Sequence, residues 1–446
     1  MPDELPPPAP EPVEPTPDED EDDDLLFAQP PPRAWRRWVI AGLVVAGVLA
    51  VGATGVMLYF GIVAWQRQLQ QQFSYGLAPA TPRGQGPFDE VTRFKTDAYV
   101  QAIGGGDVDA DGQPEAIVWV GKDITIRDPS GQQEATFPSR LSELGRVPVP
   151  GSWAPVTPGG GVRRPQVGIL HGKPAIVVTD GASESVFAYR ADGGLVLENR
   201  VANTHVRCLA LADLNGDGED ELLVGRSSAV GLVCVDSAGN TKWKHGSATD
   251  PSWVCVGDGN GDRKPEVFVG YDTSVTQILD ASSKHIGNWT QWLLVDDAQC
   301  ADLDGDGKVE LLLSRSLAPT APGAAGSTGG SSGSGSSSSP FGLGVELQGV
   351  GPDGTTMWNV PLPAGQYWVG KSHLAHGDVD ADGQGEWIAS APDGTVRVHD
   401  VAGNEIGSYA LGKEIQTLGV AASGKAGDKP QVWVSLGEEV VVLTWR

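Results

Sequence analysis

The chain is poor in basic residues and in cysteine, and both shortages limit what the protein can be. It has 31 Lys and Arg against 57 Asp and Glu in 446 residues, so its formal net charge is −26. An acidic surface repels phosphate backbones, which argues against nucleic acid as a partner. Four cysteines are too few for a disulfide scaffold in a chain of this length.

The four cysteines lie in apolar stretches that we predict to be strands. Cys208, Cys255 and Cys300 each come shortly before an acidic loop, and Cys234 lies in another strand. Buried free thiols are the simpler interpretation. Cys208 and Cys255 have the same strand parity relative to their loops, so a disulfide between these two stays open.

The sequence also lacks an amphipathic helix of useful length and a recognisable nucleophile–base set. Gly329–Gly333 matches Gly-x-Ser-x-Gly, but it follows no strand and lies in a low-complexity run that reaches Ser339. His373 and His376 are three residues apart and would face opposite sides of a strand, so we interpret both as structural. We therefore predict that the protein is not an enzyme.

A nine-residue acidic phrase, in contrast, occurs five times. Asp, Asn or Glu stands at positions 1, 3, 5 and 9, and glycine, which tolerates an unusual φ, stands at position 6 in four copies. Alternate side chains of a tight loop point toward one centre, and such hard oxygen ligands suit Ca²⁺. An EF-hand would need Glu at position 12. That position holds Val118, Val224, Val269, Leu313 and Ala389.

The N-terminal part of the chain divides into three segments by composition. Residues 1–32 are acidic and rich in proline, which predicts a disordered cytoplasmic tail. Residues 33–65 contain an uncharged stretch longer than the ~20 apolar residues of a bilayer-spanning helix, and the arginines at its start predict a cytoplasmic N-terminus. Residues 66–87 are interpreted as a stalk. We thus predict a single-pass protein of the cytoplasmic (inner) membrane whose remaining residues are extracytoplasmic, in the periplasm or at the cell surface.

Residues 88–446 consist of short apolar runs separated by Gly, Asp and Pro, which indicates an all-β domain. Acidic phrases begin at residues 213, 258 and 302, and a repeat of about 45 residues with four strands is typical of a propeller blade. Gln166–Val178 and Gly427–Val434 keep the strand pattern without the acids. We therefore predict a seven-bladed β-propeller with calcium loops between strands a and b of five blades.

Each unit has a second signature, a turn followed by a strand that usually contains an aromatic residue. Asp236–Gly239 precedes Trp243, and Asp400–Gly403 precedes Tyr409. We predict that this turn joins strands c and d. Other examples are Asp128–Gly131 before Phe137, Asp280 before Trp289 and Pro352–Gly354 before Trp358.

The last unit ends at Glu439–Trp445, which predicts a strand c with no residues left for strand d. Glu90–Phe94 lies just before the first blade, and we predict that it supplies the missing strand. Because successive strands run antiparallel, the a–b loops and c–d turns share one face. The flexible Gly/Ser loop 317–340 and the segment 141–161 then emerge on the other face, where we expect Trp153 to contact a partner.

The five acidic phrases resemble the repeats of the FG-GAP/VCBS family, calcium-binding propeller blades that also form the integrin alpha head. The resemblance covers about residues 96–446. It is specific because the acidic phrase recurs at the same place in successive repeats. It implies that the side chains of positions 1, 3, 5 and 9 and the backbone oxygen of position 7 bind calcium. The implied ligands are Asp107, Asp109, Asp111, Gln113 and Glu115; Asp213, Asn215, Asp217, Glu219 and Glu221; Asp258, Asn260, Asp262, Lys264 and Glu266; Asp302, Asp304, Asp306, Lys308 and Glu310; and Asp378, Asp380, Asp382, Gln384 and Glu386. Arg263 replaces glycine at position 6, so we expect that loop to bind most weakly.

The resemblance implies adhesion, ligand binding or scaffolding. We predict a membrane-anchored module that binds a protein or a glycan outside the cytoplasmic membrane. Two alternatives stay open, a structural subunit of an envelope assembly and a lyase or hydrolase with a pocket on the propeller axis. A deep polar pocket with perturbed carboxylates would favour the enzyme, whereas an exposed aromatic patch would favour binding.

Overall fold

A computed structural model describes ten ranges of the C-terminal part of the chain. These are residues 86–140, 164–179, 184–227, 230–246, 250–271, 275–290, 295–317, 344–363, 372–422 and 429–446. All of them belong to the compact unit Ser74–Arg446. The predicted tail, membrane span, Trp153 segment and most of the predicted stalk and Gly/Ser loop lie outside these residues. Within them, no helix has the length and apolar character needed to cross a bilayer.

The described residues form 28 strands in seven four-stranded antiparallel sheets, as predicted for seven blades. The first strand of the chain, β1 (Phe88–Lys95), belongs to blade 7. Blade 1 contains β2 (Val100–Gly106), β3 (Glu115–Val120), β4 (Asp123–Arg127) and β5 (Gln133–Pro138), and blade 2 contains β6 (Gln166–Leu170), β7 (Lys173–Val178), β8 (Ser185–Tyr189) and β9 (Leu195–Arg200). Blade 3 contains β10 (Val206–Ala212), β11 (Glu221–Arg226), β12 (Gly231–Val235) and β13 (Thr241–His245).

The remaining blades repeat this order of strands a, b, c and d. Blade 4 contains β14 (Pro251–Gly257), β15 (Glu266–Tyr271), β16 (Val275–Leu279) and β17 (His285–Thr290), and blade 5 contains β18 (Val295–Ala301), β19 (Glu310–Leu317), β20 (Gly344–Val350) and β21 (Thr356–Pro361). Blade 6 contains β22 (Leu374–Gly377), β23 (Glu386–Ser390), β24 (Thr395–His399) and β25 (Glu405–Ala410), and blade 7 contains β26 (Thr417–Ala421), β27 (Gln431–Ser435) and β28 (Glu439–Trp445) with β1.

The core lies between neighbouring blades. Strands a contact one another around the ring, whereas strands b and c are covered on both faces by adjacent sheets, so apolar side chains are buried on both faces. Ile117 and Ile124 of blade 1, for example, pack against Ile176 and Phe187 of blade 2. Strand d is outermost and alternates, as in β5, where Phe137 is buried between exposed neighbours.

The predicted closure of the ring by an N-terminal strand is confirmed. β1 pairs antiparallel with β28 from Phe88↔Trp445 to Lys95↔Glu439, with one bulge between Glu90 and Thr92. The sheet order is β1-β28-β27-β26, so β1 is strand d of the last blade. Because first and last residues of the domain pair in one sheet, the ring has no open seam.

The turn-and-aromatic signature has a structural cause that lies between blades. The turn Asp400–Gly403 of blade 6 lies against Trp358, which is on strand d of blade 5. A Cβ on Gly403 would come closer than 3.0 Å to the ring of Trp358. Gly403 also has φ +84°, a conformation that glycine adopts easily. Gly354 makes room for Trp289 of the preceding blade in the same way.

The described structure contains four free cysteines and no bridge between Cys208 and Cys255. Cys208, Cys234 and Cys255 are buried, and Cys300 donates a hydrogen bond from Sγ to the carbonyl oxygen of Val256 at 3.3 Å. Burial raises the pKa of the Cys234 thiol to about 12, which keeps it protonated and unreactive at neutral pH.

Candidate metal loops

The five acidic phrases form five a–b loops that share a set of backbone hydrogen bonds. Glu at position 9 is the first residue of strand b and accepts a hydrogen bond from the backbone N–H of position 2. The donor–acceptor pairs are Val108–Glu115 (2.9 Å), Leu214–Glu221 (2.9 Å), Gly259–Glu266 (2.7 Å), Leu303–Glu310 (3.0 Å) and Val379–Glu386 (2.7 Å). This bond holds one carboxylate oxygen of each Glu in place, and the loop orients the other oxygen.

Positions 1, 3 and 5 also bind backbone N–H groups of their own loop. Asp107 accepts from Gly112 at 2.9 Å, and Asp109 accepts from Asp111 at 3.0 Å. Position 7 donates its N–H to the carboxylate of position 5 in every loop. These position-7 donors are Gln113 (2.7 Å), Glu219 (2.8 Å), Lys264 (2.9 Å), Lys308 (2.8 Å) and Gln384 (2.8 Å). The sequence prediction did not identify this network, which orients the side chains before any ligand binds.

Two positions of each loop have a left-handed backbone, although the sequence pattern pointed to only one. Position 6 has positive φ in all five loops, including Arg263 at +66°. Position 4 has positive φ as well, and in two loops it is not glycine but Ala110 (+67°) and Ala381 (+63°). A residue with a Cβ costs about 1–2 kcal/mol in this conformation. Position 4 is always Gly or Ala, and this restriction was the sequence signal that could have revealed its left-handed backbone.

Three loops bring their acidic side chains close enough to hold one cation. One ligand atom from each of Asp378, Asp380, Asp382 and Glu386 lies within 4.8 Å of the others. The same holds for Asp107, Asp109 and Glu115, and for Asp302, Asp304 and Asp306. Such clustered like charges repel one another unless a cation is present.

Asp378 provides a further observation that points to a ligand. Its Oδ1 atom is buried and has no hydrogen-bond partner among the described residues. In four loops the corresponding oxygen accepts the N–H of position 4; Asp302, for example, accepts from Gly305 at 2.8 Å. An unsatisfied buried carboxylate oxygen is costly, and a hard cation would satisfy it.

The two loops with Asn at position 3 differ from the other three. Asn215 donates from Nδ2 to Glu221 Oε1 at 2.6 Å, and Asn260 donates in the same way to Glu266 at 2.6 Å. The amide nitrogen, rather than the predicted carbonyl oxygen, therefore faces the Glu of position 9. This internal donor partly replaces the attraction that a cation would supply.

Burial changes the acidity of the position-9 carboxyls. It raises the pKa of Glu115 and of Glu386 to about 7, an effect increased by nearby Asp residues and opposed by the N–H of Val108 or Val379. The pKa of the same carboxyl in the other three loops, Glu221, Glu266 and Glu310, is raised for the same reason.

These shifts predict how the stability of the metal-free protein depends on pH. Because the folded-state pKa of Glu115 and Glu386 exceeds the unfolded value, folding favours the protonated carboxyls. Above about pH 7 both carboxyls are ionised in the folded protein, and the cost of burying these charges lowers its stability. With a chelator present, we expect the melting temperature to rise by several degrees as the pH falls from about 8 to about 5.5. Thermal unfolding monitored by circular dichroism measures this. The double variant Glu115→Gln, Glu386→Gln should flatten the dependence; an unchanged slope would contradict the assignment.

A polar cluster that the sequence prediction missed lies beside the strands a of blades 2, 5 and 6. Arg164 donates to Gln299 Oε1 at 3.3 Å and to the carbonyl oxygen of Leu374. Asp297 accepts the N–H groups of His373 (3.0 Å) and Leu374 (3.2 Å). The two bonds donated by Arg164 connect residues that are 135 and 210 positions apart in the chain.

Of the two histidines singled out in the sequence, His373 is buried and His376 is half-buried. His373 Nδ1 lies 2.9 Å from Ser390 Oγ, on the neighbouring strand of the same blade. His376 packs edge-on against Trp387, and burial lowers the pKa of its imidazole to about 4. Both therefore occupy packed positions, and they do not converge on a common metal with the acidic loops.

Comparisons with known proteins support the propeller fold. Residues 177–288 match the family model of the lambda-carrageenase β-propeller domain. Over 117 residues the chain is 26% identical to the lambda-carrageenases of Pseudoalteromonas carrageenovora and of Pseudoalteromonas sp.. This match covers 26% of the present chain and only 12% of the length of each of those proteins.

Solved structures with the same fold extend over most of the domain. BBS1N, solved in complex with ARL6DN, has a TM-score of 0.55 at 12% identity, covering 81% of this chain and 97% of that one. The Neurospora crassa Pan2 WD40 domain has a TM-score of 0.50 at 11% identity, covering 82% and 98%. At such low identity these likenesses establish the fold alone. The chain therefore contains a seven-bladed β-propeller that is similar, over residues 177–288, to the lambda-carrageenase propeller domain.

Proposed function

We propose that the protein is a membrane-anchored, extracytoplasmic binding scaffold whose propeller is made rigid by Ca²⁺ in FG-GAP/VCBS-type loops. The observation that carries this proposal is the cluster of Asp378, Asp380, Asp382 and Glu386, which contains a buried oxygen without a partner. Four carboxylates on one tight loop are an oxygen-only ligand set, which favours calcium over transition metals. A bound Ca²⁺ would offset two of the four negative charges of the loop and tie strand a to strand b.

The five loops are not equivalent in this proposal. The loops that begin at Asp107, Asp302 and Asp378 contain only carboxylates at the four side-chain positions and bind calcium most tightly. The loops that begin at Asp213 and Asp258 bind more weakly because the Asn amide must turn its oxygen toward the ion and give up a hydrogen bond to Glu. Arg263 adds a positive charge to the Asp258 loop, which makes that loop the weakest.

A protein partner is favoured over catalysis for two reasons. BBS1N, which shares the fold, was solved in complex with a protein. The carboxyls of Glu115 and Glu386, the most perturbed in the loops, accept backbone N–H groups and face other acids rather than a nucleophile. Since the match to lambda-carrageenase covers only 12% of that enzyme, it supplies no argument for a shared activity.

The test is capture of a partner by the propeller unit, residues 74–446, from a detergent extract of the source membrane. We expect a protein to be retained in the presence of calcium and lost with a chelator, because the ligand-free loops no longer hold the ring rigid. Affinity purification followed by mass spectrometry measures this. If the same partner is retained with and without calcium, the protein is a binding scaffold and the proposed role of calcium is wrong. A stoichiometric complex that resists salt would favour the structural-subunit alternative.

The face that binds the partner is predicted separately. Strand β5 ends and strand β6 begins on the face opposite the a–b loops. The residues between these strands include Trp153 and lie outside the described ranges, so we keep the sequence-based prediction that Trp153 contacts the partner. Trp153→Ala should preserve calcium-dependent melting and abolish retention of the partner. Asp400→Asn, on the calcium face, is the matched control and should retain it. The reverse result would assign binding to the calcium face.

A further inference from the structure

Backbone hydrogen bonds from position 8 connect the acidic loops of blades 4, 5 and 6. Val309, at position 8 in blade 5, donates its N–H to the carbonyl oxygen of Asp258 in blade 4 at 2.8 Å. Gly385, at position 8 in blade 6, donates to the carbonyl oxygen of Leu303 in blade 5 at 2.9 Å. Asp258 and Leu303 stand at positions 1 and 2 of their own loops, so each bond runs directly from one acidic loop to the loop of the preceding blade.

Proline interrupts this series in the other blades, because it has no N–H to donate. Position 8 lies two residues before the first side chain of strand b that faces the preceding blade, and in four blades this residue is Pro114, Pro174, Pro265 or Pro430. In blade 3 the donor is Asp220, but its acceptor, Ile169, belongs to the acid-free a–b hairpin of blade 2. The acidic loops of blades 1 and 3 are therefore linked to no other acidic loop by this bond.

The two links end on groups that hold the carboxylates in place. The carbonyl oxygen of Asp258 belongs to the same peptide group as the N–H of Gly259, which donates to Glu266 at 2.7 Å. Leu303, which accepts the bond from blade 6, donates its own N–H to Glu310 at 3.0 Å. The donor of each link, in turn, directly precedes the position-9 Glu of its own loop. Displacement of one loop therefore displaces a candidate calcium ligand of the next.

We propose that the loops of blades 4, 5 and 6 bind calcium cooperatively, whereas the loops of blades 1 and 3 bind it independently. Each empty loop of blades 4 to 6 contains three or four carboxylates that repel one another, so its backbone is displaced easily. A bound ion holds the loop, and with it the carbonyl oxygen that accepts the N–H of the next blade. The neighbouring loop then loses less conformational freedom when it binds its own ion, which produces positive cooperativity. The inference rests on the calcium binding proposed above and adds which sites act together.

The substitution Val309→Pro removes one link without removing a calcium ligand. Proline already occupies this position in four blades, and in three of them it follows lysine, as it would after Lys308. Val309 lies over Gly257 at the end of strand a of the preceding blade, and Pro430 lies over Gly377 in the same way. The fold therefore accommodates a proline ring at this place. Val309→Ala is the matched control, because it shortens the same side chain and keeps the N–H.

The test is hydrogen exchange of the full chain in detergent, measured by mass spectrometry at increasing calcium concentrations, which gives a calcium midpoint for each loop. The double variant Asp304→Asn, Asp306→Asn weakens the site of blade 5 but keeps the oxygens that accept the N–H groups of Asp306 and Lys308. We expect it to raise the midpoints of the loops in blades 4 and 6 about threefold to tenfold, the range that one hydrogen bond supplies. The midpoints in blades 1 and 3 should not change.

Adding Val309→Pro to the double variant should abolish the effect on blade 4 and preserve the effect on blade 6, whereas adding Val309→Ala should preserve both. An equal shift in all five loops, or no shift in blades 4 and 6, would overturn the cooperativity. An effect on blade 4 that persists with Val309→Pro would overturn it as well. In each of these cases calcium still protects the loops, so calcium binding itself stands. If calcium protects no loop from exchange, calcium binding is wrong and the cooperativity fails with it.

Discussion

A chain that begins at Asp97 should not form a stable propeller. Such a chain lacks β1, so blade 7 loses its outer strand and the paired edge of β28 becomes exposed. The truncation also removes Phe88, which is 1% exposed and packs edge-on against Trp445 at 5.0 Å between ring centroids. We expect the truncated domain to lose cooperative unfolding or to aggregate, because open strand edges pair with other chains. Circular dichroism during heating and size-exclusion chromatography measure both outcomes.

Single substitutions in β1 distinguish the loss of ring closure from the general effect of deleting residues. Phe88→Ala removes a fully buried aromatic ring and should destabilise the domain by about 3–5 kcal/mol. Val91 lies at the bulge of the same strand and is 43% exposed, so Val91→Ala should change the stability by less than about 0.5 kcal/mol. If the chain from Asp97 melts like the longer one, the ring does not depend on β1.

The closure also crosses from blade 7 to blade 1. Phe94 of β1 lies under the guanidinium of Arg127, whose Cζ is 4.1 Å from the ring centroid. Arg127 in turn donates to the carbonyl oxygen of Gly131 at 2.7 Å, in the c–d turn of blade 1. Like Trp358 on strand d of blade 5, Phe94 thus lies beside the c–d turn of the next blade, which is why the loss of β1 affects two blades together.

Removal of calcium should produce the second large effect. Ions that bind only the folded state stabilise it by RT ln(1 + [L]/Kd), about 1.4 kcal/mol per site at ten times Kd. With affinities like those of extracellular modules, ~10⁻⁴–10⁻³ M, millimolar calcium would stabilise the propeller by several kcal/mol over the tight sites. We expect a clear fall in melting temperature on chelation, reversed by calcium. Native mass spectrometry counts the ions bound.

Variants of individual loops test the ranking of the sites. Asp378→Asn should remove one bound ion and part of the calcium-dependent stabilisation, whereas Asp258→Asn should change little because that site is weak. Asp400 lies in a c–d turn on the same face and binds Asn404, so Asp400→Asn controls for loss of surface charge. If no ion binds and the melting temperature is the same with chelator, the loops are acidic turns stabilised by their backbone N–H groups alone.

The repeated phrases predicted the blades because blade architecture is encoded locally. An acidic loop, an apolar strand and a Gly-containing turn recur at a fixed spacing, and each unit builds its own sheet from neighbouring residues. The count of seven, the two blades without acids and the need for β1 all follow from matching this repeat to the available strands. The clustering of Asp302, Asp304 and Asp306 could be predicted for the same reason, since all three lie on one short loop.

Contacts between blades could not be predicted from the repeats, because they join residues that are far apart in the chain and depend on how the ring closes. The pattern showed that a turn glycine precedes an aromatic residue, but only the packed ring shows that Gly403 makes room for Trp358 of the preceding blade. Arg164 likewise reaches Leu374 only once the ring has brought blades 2 and 6 together. The sequence determines the units, whereas their mutual packing determines contacts between blades, such as the hydrogen bond that the Trp358 indole donates to the carbonyl oxygen of Val401 in the next blade.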